Sequence, residues 1–162
     1  MDVEELYRRY AAGERDFPGV DLSHANFNLA KVTFLEELEP GQNELSGINL
    51  SGANLTRVNL SCVNLSGANL SSANLEFATL SLTILTGANL RKAILDYAQL
   101  LGSLIDVDLR EASLFCTLLD CTNLTRANLM GARFQITAKG RLIFRDTIMP
   151  DGTINNEDEN YE

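Results

Sequence analysis

Few side chains in this sequence are of types that do chemistry, and the spacing of those few works against it. The single histidine, His24, lies between Ser23 and Ala25 with no charged residue beside it to orient the ring. A general base needs such a partner, so His24 reads as an exposed spectator. The three cysteines are Cys62, Cys116 and Cys121. The last two stand five apart, a spacing two metal ligands could use, but Cys62 is far upstream and no fourth ligand accompanies them, whereas structural zinc takes four. Asp106 and Asp108 flank Val107 and could share one side of a short extended segment as a carboxylate pair. Nothing near them in sequence supplies the pocket that would raise one carboxyl's pKa, so a solvated corner is the expected setting. The glycines recur in "SGANL" and do not open a helix, as a phosphate-binding loop requires. These residues predict no catalytic site, no metal site and no cofactor.

The same residues punctuate a repeat. In "SGANLTRVNLSCVNLSGANLSSANL", Ser51 to Leu75, a leucine falls on every fifth residue. An α-helix repeats its buried face at about 3.6 residues and a strand at 2, so neither produces this period. Two residues before each leucine stands a small or β-branched residue (Ala53, Val58, Val63, Ala68, Ala73), with asparagine between. The small residue and the leucine therefore share one side of a three-residue strand, and the asparagine points the other way. A continuing strand would next bury Gly52, Arg57, Cys62, Gly67 or Ser72, which do not suit it, so the chain must turn there. Strand and corner, repeated, wind into a solenoid in which each unit buries its apolar face against its neighbours.

The runs "SGANL", "SSANL", "TGANL" and "TRANL" resemble the pentapeptide-repeat proteins, over about residues 20 to 134. The resemblance implies an all-β solenoid, a right-handed quadrilateral β-helix with four pentapeptides per coil and Leu or Phe along the axis. Centres at 22, 27, 34 and 45, then every fifth residue from 50 to 100 and from 104 to 134, give about five and a half coils. Leu100 to Leu109 is one residue short, so either Leu104 or Ile105 centres the shortened unit. The slot before the centre then reads Asn49, Asn69, Asn89, Asp108, Asn128, a column in which stacked amides could bond to one another. Leu50, Leu55, Leu70, Leu75, Leu90, Leu109 and Leu129 are the expected core. Two inserts interrupt the start: two extra residues before Phe34, and "LEELEPGQNE", residues 35–44, read as an acidic surface loop.

The ends depart from the pattern and divide the chain into 1–19, 20–134 and 135–162. Val3, Leu6, Tyr7, Tyr10 and Ala11 fall at helical spacing, Asp2 with Glu5 forms a capping box, and Gly13 supplies the stop. This short α-helix is expected to cap the open end of the coil. Beyond Phe134, Leu142–Phe144 and a Pro150–Gly152 turn between Ile148 and Ile154 are expected to close the other end. Both end segments also resemble those of cyanobacterial pentapeptide-repeat proteins. Asn155 to Glu162 is polar enough to be read as disordered. The acidic start lacks the features of a signal peptide, no apolar run approaches the about 20 residues of a membrane span, and the cysteine count is odd. Reduced thiols, the cytoplasm, and no membrane partner are the expectations.

The net charge of −9 raises one functional class. Some pentapeptide-repeat proteins mimic duplex DNA and act on type II topoisomerases. Residues 46–134, however, carry six basic and six acidic side chains, whereas residues 1–45 carry four against ten and 135–162 three against six. A DNA mimic needs its charge along the rod, where DNA has about one negative charge per 1.7 Å. The leading expectation is a non-catalytic scaffold or protein-binding module with no nucleic-acid partner, its target a protein or a second copy of the chain. Outward apolar residues mark the candidate face: Phe77, Ile94, Tyr97 and Phe115 on one side and its corner, Leu82, Leu101 and Leu118 on the next. The competing expectation is that the C-terminal segment folds back over them.

Overall fold

The computed structural model describes residues 1–27 and 43–161. In the regular units the leucine amide reaches the adjacent layer while its carbonyl closes the corner. Leu50 N–H donates to Asn69 O (2.8 Å), and Leu50 O accepts from the Ala53 amide (3.1 Å). The second corner residue takes a positive φ, +64° at Gly52, +58° at Arg57 and +57° at Ser72, as a type II turn requires. The asparagine oxygen satisfies the first corner amide: Asn49 Oδ1 accepts from Ser51 N–H (3.1 Å), Asn64 from Ser66 (3.0 Å) and Asn89 from Arg91 (3.0 Å). Asp108 substitutes for asparagine in the same bond to Arg110 (3.1 Å). This local bond accounts for the asparagine better than the expected amide stack. Asn69 Nδ2 does donate to Asn49 Oδ1 (3.1 Å), which also accepts at its own corner, and Asn49 Nδ2 to Asp16 Oδ1 (3.1 Å), so these column bonds add to the corner bonds where they form.

The result is a β-solenoid whose parallel pairings fall, among the described residues, into four columns. The first runs Asp16, Asn49, Asn69, Asn89, Asp108, Asn128, Ile148, and the second Asp21, Asn54, Asn74, Ile94, Ser113, Arg133. The third is Asn26, Asn59, Thr79, Gln99, Leu118, Thr137, and the fourth Glu44, Asn64, Ile84, Ser103, Asn123, Ile143. Where corners flatten, the chain forms longer strands: β1 (Thr79–Ile84), β2 (Gln99–Ser103), β3 (Ser113–Asn123) and β4 (Arg133–Leu142). Leu50, Leu55, Leu70, Leu75, Leu90, Leu109 and Leu129 are all buried in the interior, with Ala53, Ala68, Ala73, Ala88, Ala93 and Ala112 beside them. Four threonines share that interior because each hydroxyl donates to a carbonyl of the preceding layer, as Thr122 Oγ1 to Leu100 O (3.0 Å) and Thr147 Oγ1 to Leu124 O (2.7 Å).

The register corrects the expected unit boundaries. Leu104 is buried and Ile105 half-buried, so Leu104 centres the short unit. Asn26 pairs with Asn59 and Glu44 with Asn64, which belong to adjacent units, so Phe27 and Leu45 face adjacent columns of the next layer. Phe34 itself and residues 35–42 of the expected acidic loop lie outside the described residues. The ladder also starts one unit before Leu22, at Phe17, whose amide donates to Asn49 O (2.8 Å). It does not stop at Phe134 either. The Leu124 and Leu129 amides donate to Ile143 O (2.9 Å) and Ile148 O (2.8 Å), and Leu142 and Phe144 are buried on the axis. The expected coil number therefore rested on the wrong first and last centres.

At the first end, α1 (Val3–Ala11) begins with Asp2 accepting the Glu5 amide (2.8 Å). The reciprocal half of the box is replaced by a Glu5–Arg8 ion pair. Leu6 is fully buried, Tyr7 meets Phe27 edge-on (6.0 Å between centroids) and Tyr10 donates to Ser46 O (2.9 Å); Ala11 is exposed. At the other end, β5 (Thr147–Ile148) and β6 (Ile154–Asn155) form an antiparallel hairpin about the Pro150–Gly152 turn. The tail is not disordered throughout, since β7 (Glu159–Tyr161) pairs antiparallel with the end of β4. Asp158 accepts from Arg141 (2.5 Å) and Arg145 (3.2 Å), which holds its carboxyl below the usual range.

Candidate interaction surface

A side chain at the second corner residue projects away from the coil, and its left-handed backbone costs an L-residue roughly 1–2 kcal/mol. Gly47, Gly52, Gly67 and Gly87 avoid that cost. Phe77 (φ +59°), Leu82 (+58°) and Tyr97 (+60°) do not, although bulky residues are the least suited to it. The Phe77 and Tyr97 amides donate to Asp96 O (3.0 Å) and Phe115 O (2.9 Å), fixing both corners one layer apart. Their rings stack with 5.1 Å between centroids and 8° between planes. Phe115 closes on Tyr97 edge-on at 5.6 Å. The Arg57 guanidinium lies 5.2 Å from the Phe77 ring at one end of this row, and that of Arg133 lies 4.1 Å from Phe115 at the other. Phe77 and Tyr97 remain 43% and 45% exposed.

The other face residues separate into two groups. Ile94, 41% exposed, adjoins the aromatic row from the second column, between Asn74 and Ser113. Leu82, 69% exposed, and Leu101 occupy the next corner, with Thr79 and Gln99 of the third column between them and the aromatics; Leu118 occupies that column at the level of β3. The C-terminal segment does not cover the aromatic row, because Leu142 and Phe144 turn into the core. Three participants were missed from the sequence. Arg57, Phe77 and Tyr97 stand twenty residues apart in the same slot, a legible signal for Arg57. Arg133 is the second-column partner of Ser113, and Ile84 of the fourth column is exposed beside Leu82.

The chemistry candidates are dispersed. His24 is exposed at a corner (φ +60°). Cys62 and Cys121 are exposed at corners, Cys116 is half-buried, and all three are free thiols; no cluster of potential metal ligands occurs among the described residues. Asp106 and Asp108 each take their own arginine, Arg126 (2.6 Å) and Arg110 (2.6 Å), and these bonds hold both carboxyls below the usual range. Neither is placed to donate a proton. Around the first corner, Arg91 and Lys92 both meet Glu111 (2.5 and 3.5 Å). No described helix is long and apolar enough to cross a membrane.

Residues 48–87 and 68–104 match the family model for pentapeptide repeats (8 copies). No curated protein matches the chain. Among solved structures it is similar to HetL, a pentapeptide repeat protein involved in heterocyst differentiation regulation from the cyanobacterium Nostoc sp. strain PCC 7120, at 25% identity over 96% of this chain and 100% of that one, TM-score 0.30. It is similar to the pentapeptide repeat protein Rfr23 from the cyanobacterium Cyanothece 51142, at 28% identity over 83% and 94%, TM-score 0.42. It is also similar to alr5209, a pentapeptide repeat protein from Nostoc PCC 7120, at 32% identity over 74% and 80%, TM-score 0.35.

Proposed function

We propose that this chain, which belongs to the pentapeptide-repeat family, is a non-catalytic scaffold that binds a protein partner through its aromatic corner. The observation that carries this reading is the stacking of two exposed rings, Phe77 and Tyr97, at corner positions that glycine or a polar residue fills in most other units. Two exposed rings stacked in register offer a flat, rigid anchor. The winding is read as four-sided, since residues twenty apart pair in four columns of five-residue units, and as right-handed from the family resemblance. The setting is cytoplasmic, with reduced thiols, no membrane partner and no nucleic acid.

Pull-down from native cell extract tests this, comparing the natural chain with the double variant Phe77→Glu, Tyr97→Glu. Loss of a specific partner with unchanged melting is the expected result; equal recovery of the same partner overturns it. The topoisomerase reading is disfavoured because six basic side chains balance the six acidic ones of residues 46–134, and three of those acids, Asp106, Asp108 and Glu111, are held by arginines in ion pairs. Excess protein should leave gyrase supercoiling and its quinolone inhibition unchanged relative to an unrelated acidic protein.

A further inference from the structure

We infer that the partner segment bound at this corner is an extended acidic peptide lying along the coil axis, with a carboxylate at each end and apolar side chains between; this rests on the protein-binding reading above. Charge supplies the argument. Arg91, Arg110 and Arg126 of the coil are each engaged by a carboxylate. Arg57 and Arg133 take part in no ion pair among the described residues, and they are the two that end the aromatic row. A guanidinium laid against a ring keeps its N–H edge free for a carboxylate, so each end presents an unused bidentate donor on an apolar platform.

Geometry sets the length. Arg57 follows Asn54, and Asn54, Asn74, Ile94, Ser113 and Arg133 are successive members of one column. Four steps of about 4.8 Å place the two cations roughly 19 Å apart along the axis. An extended chain advancing about 3.3 Å per residue spans this in about six residues. A second copy of this chain does not fit the same surface. With a cation at both ends, face-to-face pairing in either direction sets arginine against arginine, which opposes association.

The test uses fluorescence anisotropy with three labelled heptapeptides on the natural chain: Glu-Pro-Phe-Pro-Phe-Pro-Glu, and the same core ended by Gln or by Lys. The Glu-ended peptide should bind about tenfold tighter than the Gln-ended one, as expected for two exposed charge-assisted contacts, and lose that margin in 300 mM salt. Arg57→Gln and Arg133→Gln should each reduce the margin to about threefold and together abolish it, with the melting temperature unchanged. Equal binding of all three peptides, or none by any, overturns the acidic-peptide inference. So does a concentration-dependent dimer that Phe77→Glu dissolves, which would assign the corner to a second copy. Recovery of a partner from extract that depends on Phe77 and Tyr97 but not on Arg57 or Arg133 overturns the inference while leaving the protein-binding reading intact.

Discussion

Replacing Leu70 by alanine measures how firmly the interior is held. Leu70 is fully buried on the first column, with Leu50 in the layer on one side and Leu90 in the layer on the other. Truncation removes the packing of a buried isobutyl group and leaves a cavity, and the total cost across proteins runs from about 2 to 5 kcal/mol according to how far the surroundings collapse. Here collapse is opposed by the ladder. The Leu70 amide donates to Asn89 O (2.7 Å) and the Asn69 amide to Ile48 O (2.9 Å), so the backbone is tied to both neighbouring layers. The upper half of the range, about 3–5 kcal/mol, is therefore expected. For a chain of this size it corresponds to a drop in Tm of about 6–20 °C. Urea unfolding followed by far-UV circular dichroism reads the change directly. Leu22→Ala, in the layer beneath α1, should cost less because a terminal layer is tied on one side only. A cost below about 1 kcal/mol at Leu70, or an equal cost at Leu22, would refute the argument that the ladder holds the cavity open.

Two glycines separate strain from collision. Gly52→Ala, at φ +64° with no atom within 4 Å of the added Cβ, should cost about 1–2 kcal/mol by backbone conformation alone. Gly140→Ala brings the added Cβ to 2.7 Å from Cys121 Sγ and 3.0 Å from Asp120 Oδ1 at a similar φ, so urea midpoints should show a larger loss there. Acid should also weaken the fold. Asp106, Asp108, Glu111 and Asp158 all have folded pKa values lowered, chiefly by hydrogen bonds from Arg126, Arg110, Arg91 and Arg141. A carboxyl shifted this way contributes its stability above the ordinary carboxylate range and loses it as pH falls through the depressed value. Urea midpoints should thus be flat from pH 7 to about 5 and decline below, with a shallower decline for Asp106→Asn.

The coil was legible because its interior admits few solutions: leucine on the axis, a small residue beside it, a corner that must reverse. The burial of Leu50 through Leu129 follows from that pattern alone. The pattern failed where those constraints relax. Phe17 heads a proper unit, but its inward slot holds Arg15, acceptable only in a terminal layer. Past Phe134 the asparagine corners give way to the extended β4, so the period disappears although Leu142 and Phe144 still fill the axis. Composition called the tail disordered because it contains little to bury, whereas β7 is held by the free edge of β4 and by Arg141 and Arg145, which composition does not register. The surface was half legible. Outward apolar residues could be collected by face, but the stacking of Phe77 on Tyr97 and the arginine at each end depend on how corners superpose.

One residue is missing at Gly102 and thirteen are added between Phe27 and Leu45, yet beyond each the columns resume: Asn89 still meets Asp108, and Asn26 still meets Asn59. Neither mistake in chain length is passed on to the next layer. The rise along the axis is fixed by hydrogen bonds between layers and not by how much chain lies between them, so this protein measures distance in whole layers. Such a rod can gain or lose material at a corner, over evolutionary time or by engineering, while the groups displayed along its side keep their spacing.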